Sequence, residues 1–101
     1  MILNIEDVLK KLKLKSDGQF NEGFYEISLA DSDEYARMYT HLSEVATDLE
    51  DPSLGQNTAG STMKVTNYFS IDVDGATYPI FLIADFENDK YAVRIGESDA
   101  D

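Results

Sequence analysis

Apolar and polar residues alternate along the last third of the chain, from Met63 to Ile95, and this alternation constrains the fold more than any other feature. The pair Asp74-Gly75 interrupts the pattern, and Asp-Gly strongly favours a two-residue hairpin turn. Such a turn fixes the register of the flanking strands, so it places Ile71 opposite Tyr78. Alternate residues on both sides of the turn then share one face, as in a half-buried antiparallel sheet.

A second tight turn, predicted at Asn88-Asp89, extends this hairpin to a three-stranded meander. It pairs Phe86 with Tyr91 and keeps the alternation in phase with the first turn. The predicted common apolar face consists of Met63, Val65, Phe69, Ile71, Val73, Tyr78, Ile80, Leu82, Ala84, Phe86, Tyr91, Val93 and Ile95. Because the residue pattern agrees with both turns, the meander is predicted to bury one face and leave the other open.

Two amphipathic helices and one strand precede the meander. Apolar residues at helical spacing predict a first helix over residues 5–14, and alternation over residues 23–30 predicts a strand. Asp31 with Glu34 three residues later is typical of a capping box, which begins a second helix that is predicted to end before Pro52. The two helices are the natural cover for the apolar face of the sheet.

These elements predict an α+β fold in the order helix, strand, helix and three strands, with both helices on one face of an antiparallel sheet. A chain of 101 residues is long enough for one modest core, so residues 1–101 are predicted to form a single domain. Within it, the polar and turn-rich residues 51–62 are predicted to be a flexible loop, and residues 97–101 an acidic tail.

The charge of the chain is strongly negative, with twenty Asp and Glu against eight Lys and Arg and a net charge of −12. Because 43% of the residues are hydrophobic, the acids are expected on a folded surface rather than in a disordered chain. Residues 17–101 hold eighteen acids and four basic residues, which argues against nucleic acid or an anionic membrane as a direct partner. A basic protein partner, or simple solubility, explains the charge better.

The cellular setting is inferred from the absence of cysteine and from the N-terminal residues. Without cysteine, disulfides and thiol chemistry are excluded. Residues 1–15 contain no continuous apolar run, so neither a signal peptide nor a membrane span is predicted there. The expected location is the cytoplasm of a bacterium or of a phage-infected cell.

No catalytic or metal-binding motif is evident. The single histidine, His41, is predicted to face solvent, and no cysteine or recognisable serine motif accompanies it. The segment SIDVDG at residues 70–75 resembles a calcium loop, but Ser70 and Phe81 stand where that loop needs carboxylates. We therefore expect neither an enzyme nor a cofactor, and Asp74-Gly75 is better explained as a turn.

The second predicted helix carries more negative charge than a helix needs. Acids near its start favour the positive end of the helix dipole, whereas acids near its end oppose the negative end. The candidate partner-binding acids are Asp33, Glu34, Glu44, Asp48, Glu50 and Asp51. All of them except Glu34 are predicted to stand in for phosphates. The alternative is an acidic face that only keeps the protein soluble.

The face of the meander that points away from the predicted core is a second candidate surface. The first hairpin register places Tyr68 beside Phe81 there, with Ile83 beside Thr66. Asp72 and Asp85 are predicted at the margin of this patch. An apolar patch with acids at its margin is typical of a binding site, and Tyr68, Phe81 and Ile83 are its predicted anchor. The alternatives are that another part of the chain covers the patch, or that it forms a homodimer.

The layout of a short helix, a strand, an acidic helix and an antiparallel meander resembles that of small acidic phage DNA-mimic inhibitors. This group includes uracil-DNA glycosylase inhibitor and several anti-restriction and anti-CRISPR proteins, and Glu22-Gly23-Phe24 is a loose counterpart of the glycosylase inhibitor's Glu-Ser-Ile strand motif. The resemblance implies a non-enzymatic inhibitor that occupies the nucleic-acid site of a host enzyme. Two alternatives remain open, namely an immunity protein against a basic toxin and a phage structural or adaptor domain that binds through the sheet face.

Overall fold

The computed structural model describes residues 5–14, 17–21, 23–49 and 64–97. The elements are α1 (Ile5–Leu12), β1 (Gln19–Asn21), β2 (Phe24–Leu29), α2 (Ser32–Val45), β3 (Thr47–Asp48), β4 (Lys64–Val73), β5 (Ala76–Asp85) and β6 (Lys90–Gly96). The strands form one antiparallel sheet in the order β1-β2-β6-β5-β4-β3. The predicted α+β class is confirmed, and two short edge strands, β1 and β3, are added to the predicted ones. The loop predicted at 51–62 lies outside the described residues, as does the predicted tail beyond residue 97.

Helix α1 ends two residues earlier than predicted, because the chain reverses there in a Schellman motif. The amide of Leu14 donates to the carbonyl of Leu9 at 2.9 Å, and that of Lys13 donates to Lys10 at 3.1 Å. Lys13 takes the left-handed conformation that this motif requires, with φ 58°. The reversal turns Leu14 back against the core.

Helix α2 begins where the sequence predicts. The side chain of Asp31 accepts a hydrogen bond from the amide of Glu34 at 2.9 Å, which confirms Asp31 as the N-cap. The carboxylate of Glu34 reaches back to the amide of Ala30 at 3.0 Å, one residue before the cap. The first bond satisfies an amide that the helix leaves without an intrahelical acceptor, and the second ties the residue before the cap to the first turn.

The end of α2 differs from the prediction. The helix stops at Val45, because Ala46 is extended (φ −124°, ψ 165°) while its amide still donates to Leu42. The next two residues, Thr47 and Asp48, pair with β4 as the edge strand β3. Backbone pairing along the sheet edge therefore ends the helix, although apolar residues continue at helical spacing beyond Val45. The prediction of a helix up to Pro52 is wrong.

The core lies between the two helices and one face of the sheet. Its buried residues include Val8, Leu9 and Leu12 of α1, Met38 and Leu42 of α2, and alternate residues of the four long strands, among them Ile27, Phe69, Ile80 and Val93. Leu42 and Ile80 are completely buried, and truncating such a side chain to alanine typically costs about 2–5 kcal/mol. The helices therefore cover one face of the sheet and leave the second face to other contacts.

The two hairpin registers had different outcomes. The first is confirmed, since Ile71 pairs with Tyr78 around Asp74-Gly75. The second is wrong by two residues, because Asp85 pairs with Lys90 and the turn is four residues long. A shift of two preserves the faces of the strands, so Tyr91, Val93 and Ile95 are still core residues. Phe86 is not among them and lies in the turn.

Strand β4 contains a bulge that corrects a second prediction. The register shifts between Val65 and Asn67, so Val65 turns away from the helices and packs beside Ile83 on the opposite face. Thr66 takes the inner position instead. Its hydroxyl donates to the carbonyl of Leu82 at 3.2 Å and also bonds the hydroxyl of Tyr35 on α2.

Candidate partner-binding surfaces

The outer face of α2 displays two of the predicted acids. Asp33 and Glu44 are exposed, and eleven residues at 1.5 Å each place them about 16 Å apart along the helix axis. Eleven steps of about 100° return to nearly the same direction, so the two carboxylates project to one side. Arg37 is exposed between them.

Glu34 is placed differently from these two acids. Its side chain is half-buried and bonds the amide of Ala30, so it stabilises the start of α2. The structure therefore explains Glu34 as a capping residue, and a capping carboxylate has less freedom to meet a partner.

The acids predicted for the last turn of α2 do not share that position. Asp48 is exposed but lies on the edge strand β3, and Glu50 and Asp51 lie outside the described residues. Glu44 alone of the predicted set sits in the last turn of α2, where its charge opposes the helix dipole. The predicted acidic helix is thus shorter, and its charge continues onto the sheet edge.

The far face of the sheet, opposite the helices, carries the predicted aromatic patch. Tyr68 pairs with Phe81 as predicted, and their rings stack at 4.7 Å between centroids with planes 7° apart. Ile83 pairs with Val65 rather than beside Thr66, because of the bulge. Phe81, Ile83 and Ala92 form a small second core, against which Phe24, Val65 and Tyr68 pack.

This packing changes what the far face offers to a partner. Ile83 is only 2% exposed and Phe81 only 8%, so nearly all of the apolar surface of both side chains is buried within the protein. Tyr68 is half-buried and leaves part of its ring accessible. The predicted anchor is therefore mainly a structural cluster, with Tyr68 as its outward member.

The predicted acidic margin of the far face is uneven. Asp72 is exposed and accepts a hydrogen bond from the hydroxyl of Thr77 at 2.6 Å. Asp85 is buried instead. On the side of β2, Glu26 forms an ion pair with Arg94, which lies directly opposite Phe81 on β6.

A third surface was not predicted and lies where the start of α2 meets the turn between β5 and β6. Three aromatic rings contact one another there. Phe86 is edge-on to Tyr35 at 6.4 Å and to Tyr91 at 6.0 Å, and Tyr35 and Tyr91 are 5.4 Å apart. Phe86 is 68% exposed. We name this surface the Phe86 corner and define it by Asp31, Tyr35, Phe86, Glu87, Asp89 and Tyr91.

A buried carboxylate holds the turn that carries Phe86. Asp85 is 4% exposed, and its side chain accepts hydrogen bonds from the amide of Asn88 at 3.2 Å and from its side-chain nitrogen at 2.7 Å. An aspartate in the first position of a turn commonly bonds a later amide in this way. The spacing of Asp85 and Asn88 is the sequence signal that indicates a four-residue turn.

The electrostatics of the Phe86 corner are negative. Tyr91 donates a hydrogen bond to Asp89 at 2.9 Å, and this bond raises the pKa of the tyrosine above its ordinary value. Desolvation and the charges of Asp89, Tyr35 and Asp31 raise the pKa further. The carboxylates of α2 and of the turn therefore act on the same small aromatic cluster.

His41 is half-buried rather than directed to solvent as predicted. Its Nε2 lies 3.3 Å from the carbonyl oxygen of Lys11, which ties α2 to the last turn of α1. Within the described part of the chain, no group of three or more His, Asp or Glu side chains is arranged to hold a metal ion. Neither α1 nor α2, the helices of that part, is long and apolar enough to cross a membrane.

Comparisons with known proteins identify no relative. No protein-family model matches the chain, and neither the curated proteins nor the solved structures that were searched gave a match. The function is therefore argued from the chemistry of the surfaces described above.

Proposed function

We propose that this protein is a non-enzymatic inhibitor that binds a basic, nucleic-acid-processing enzyme and covers its nucleic-acid site, with carboxylates in place of phosphates. The observation that supports this most directly is where the acids lie. Eleven of the fifteen acids among the described residues are exposed. They are Glu6, Asp17, Asp31, Asp33, Glu44, Asp48, Asp72, Asp74, Glu87, Asp89 and Glu97.

A surface of this kind favours partners that normally hold phosphates. A net charge of −12 on a small domain attracts a groove lined with lysine and arginine, and it speeds the encounter by electrostatic steering. The same charge repels nucleic acid itself, so the protein competes with nucleic acid rather than binding it. Both effects weaken as salt is added.

Asp33 and Glu44 are the helical acids best placed for this role. Their separation of about 16 Å along α2 corresponds to about five nucleotide steps of one DNA strand. Asp48 extends the acidic surface from the helix to the edge of the sheet, and Glu50 and Asp51 follow it in the sequence. Tyr68 is a secondary contact on the far face.

The experiment is a pull-down from host lysate with the tagged full chain, at about 50 mM and about 500 mM salt. Bound proteins are identified by mass spectrometry, and nucleic acid is added as a competitor. We expect a nucleic-acid-processing enzyme to be recovered at low salt and released by the competitor. A toxin nuclease recovered in its place would assign the protein to the immunity class, and a salt-resistant partner that nucleic acid does not displace would refute mimicry.

Two matched charge-reversal variants locate the contact. The first changes Asp33, Glu44 and Asp48 to lysine, and the second changes Asp17, Asp72 and Glu97 to lysine. Both variants alter the net charge equally at exposed positions. We expect the first to weaken the complex at least tenfold more than the second. Equal losses would mean that only the net charge matters, and circular dichroism verifies that both variants fold.

A further inference from the structure

We propose that the Phe86 corner binds an arginine side chain of the basic partner. The inference rests on the proposed function for the existence of that partner, and it adds where the partner is held and by which side chain. Phe86 is exposed, its neighbouring rings are hydrogen-bonded in place, and acids flank it in the sequence.

Folding alone does not require Phe86 to be exposed. A tight turn at Asn88-Asp89 would place Phe86 opposite Tyr91 on the core face. The chain instead buries the carboxylate of Asp85 and leaves the Phe86 ring 68% exposed. The exposed ring works against stability because it keeps its apolar surface in water, whereas the hydrogen bonds from Asn88 compensate the burial of the Asp85 carboxylate. A ring presented at such a cost is a candidate contact residue.

The Phe86 ring is held in place by its neighbours. Tyr35 and Tyr91 both contact the ring of Phe86 and also contact each other. Tyr35 is anchored in turn by its hydrogen bond to Thr66 on β4, and Tyr91 by its bond to Asp89. A surface that is already ordered loses little conformational entropy when a partner binds, so its contacts contribute more to affinity.

The chemistry of the Phe86 corner suits a planar cation as its ligand. The face of an aromatic ring attracts cations. Asp89 bonds Tyr91, the charge of Asp31 acts on Tyr91, and Glu87 follows Phe86 at an exposed position of the turn. A guanidinium group is planar and cationic, so it stacks on a ring and donates to a carboxylate at the same time. A lysine ammonium is more strongly hydrated and does not stack, which favours arginine. The carboxylates also repel phosphate, which opposes nucleic acid as the ligand.

A second exposed ring provides a matched control. Phe20 on β1 is 57% exposed and is also edge-on to a tyrosine, Tyr25, at 5.1 Å. Its chain neighbours, Gln19 and Asn21, are uncharged, whereas Phe86 stands between Asp85 and Glu87. Asp17 and Glu26 lie in the same surface pocket as Phe20, so the comparison separates a ring between two acids in one turn from a ring whose acids come from other parts of the chain.

The test is an NMR titration of the ¹⁵N-labelled full chain with a short capped peptide in which arginine alternates with glycine. The same peptide with citrulline, the neutral analogue of arginine, is the ligand control. We expect the arginine peptide to shift the amides of residues 85–91 in a saturable manner and the citrulline peptide to leave them in place. Phe86→Ala should weaken binding about two- to fivefold, and Phe20→Ala should leave it unchanged.

Two further variants keep the test decisive. Phe86→Leu retains apolar bulk without a ring and should bind the peptide as weakly as Phe86→Ala. Asp89→Asn should reduce binding because it removes a negative charge, and asparagine tolerates the positive φ of 53° at that position. The proposal is overturned if shifts spread evenly over all exposed acids, or if Phe86→Ala binds as the unaltered protein does.

Failure of this inference is distinguishable from failure of the proposed function. If the Phe86 corner does not bind the arginine peptide while nucleic acid still displaces the protein from a captured enzyme, the proposed inhibition is retained and the corner is not the contact that anchors the partner. If the corner binds the peptide but no captured partner is displaced by nucleic acid, an arginine-binding site exists without nucleic-acid mimicry.

Discussion

The two turns of the meander belong to the same sheet, but different interactions determine their conformations. At Asp74-Gly75 both residues have positive φ, 52° and 82°, as a two-residue type I′ turn requires. The turn between β5 and β6 is two residues longer, and in it only Asp89 has a positive φ. The backbone conformation of the first turn follows the local preferences of its residues, whereas that of the second turn is fixed by the buried side chain of Asp85.

This difference indicates which of the two turns is the better candidate for contact with a partner. The first turn presents small and charged residues to solvent, and every residue in it is explained by backbone geometry. The second turn presents a phenylalanine, and no need of the fold explains that choice. A turn that departs from the locally preferred solution and exposes an aromatic ring is better explained by a partner than by stability.

Among substitutions in the two turns, Asp85→Ala is expected to lower the free energy of unfolding most. The substitution removes the carboxylate that accepts hydrogen bonds from the amide and the side chain of Asn88, and the loss of these two bonds costs about 1–3 kcal/mol of unfolding free energy. Urea denaturation measures the loss. Glu87→Ala, at an exposed position of the same turn, is the control and should change stability by less than about 0.5 kcal/mol. Equal losses for both variants would show that Asp85 does not hold the turn.

The next largest effect is expected from Gly75→Ala in the first turn. No atom lies within 4 Å of the position that a Cβ would take, so the cost arises from the backbone alone. Placing alanine at φ 82° costs about 1–2 kcal/mol. Gly75→Asn should cost less, since asparagine tolerates this conformation better. Equal costs for alanine and asparagine, measured by urea denaturation, would contradict the assignment as a type I′ turn.

The fold was predictable from the sequence where local rules and packing agree. Asp74-Gly75 determined the first register, and Asp31 determined the start of α2. Prediction failed where a tertiary contact decides. Helix α2 stops at Val45 because β4 offers backbone partners to the next residues. Val65 changes face because of a bulge, which the residue alternation does not reveal.

The candidate surfaces were predictable to a smaller extent. Helical periodicity places Asp33 and Glu44 on the outer face of α2, and both are exposed. Periodicity also assigns Tyr68 and Phe81 to the far face, but it does not indicate that their mutual packing buries Phe81. Phe86 was assigned to the core, because alternation gives the face of a residue and not the point at which a strand ends.

A smaller effect on stability is expected from Phe86→Ala. Because the ring is 68% exposed, only its edge contacts with Tyr35 and Tyr91 are lost, and the cost should be below about 1 kcal/mol. Urea denaturation compares it directly with Asp85→Ala. A loss as large as that of Asp85→Ala would show that Phe86 is a structural residue and would weaken its assignment as a contact.

The smallest effect, and the only stabilising one, is expected from Asp74→Asn in the first turn. A hydrogen bond with Asp7 of α1, the like charge of Asp7 and desolvation together raise the pKa of Asp74 above its ordinary value. A carboxyl whose pKa is raised on folding favours the folded state below the ordinary pKa, and this contribution is lost as pH rises through the raised value. At about pH 7 the charged form therefore opposes folding.

Asparagine removes this repulsion, still donates to Asp7 and accepts the positive φ of 52°. We expect Asp74→Asn to raise the melting temperature at about pH 7 and to lose that advantage at about pH 3, where Asp74 is protonated. Asp72→Asn, at the exposed neighbour that bonds Thr77 instead, is the control and should show no such pH-dependent gain. If the gain persisted unchanged at low pH, it would come from the turn preference of asparagine and not from Asp7. The first turn would then be wholly a matter of backbone geometry, and its contrast with the turn of Phe86 would be sharper.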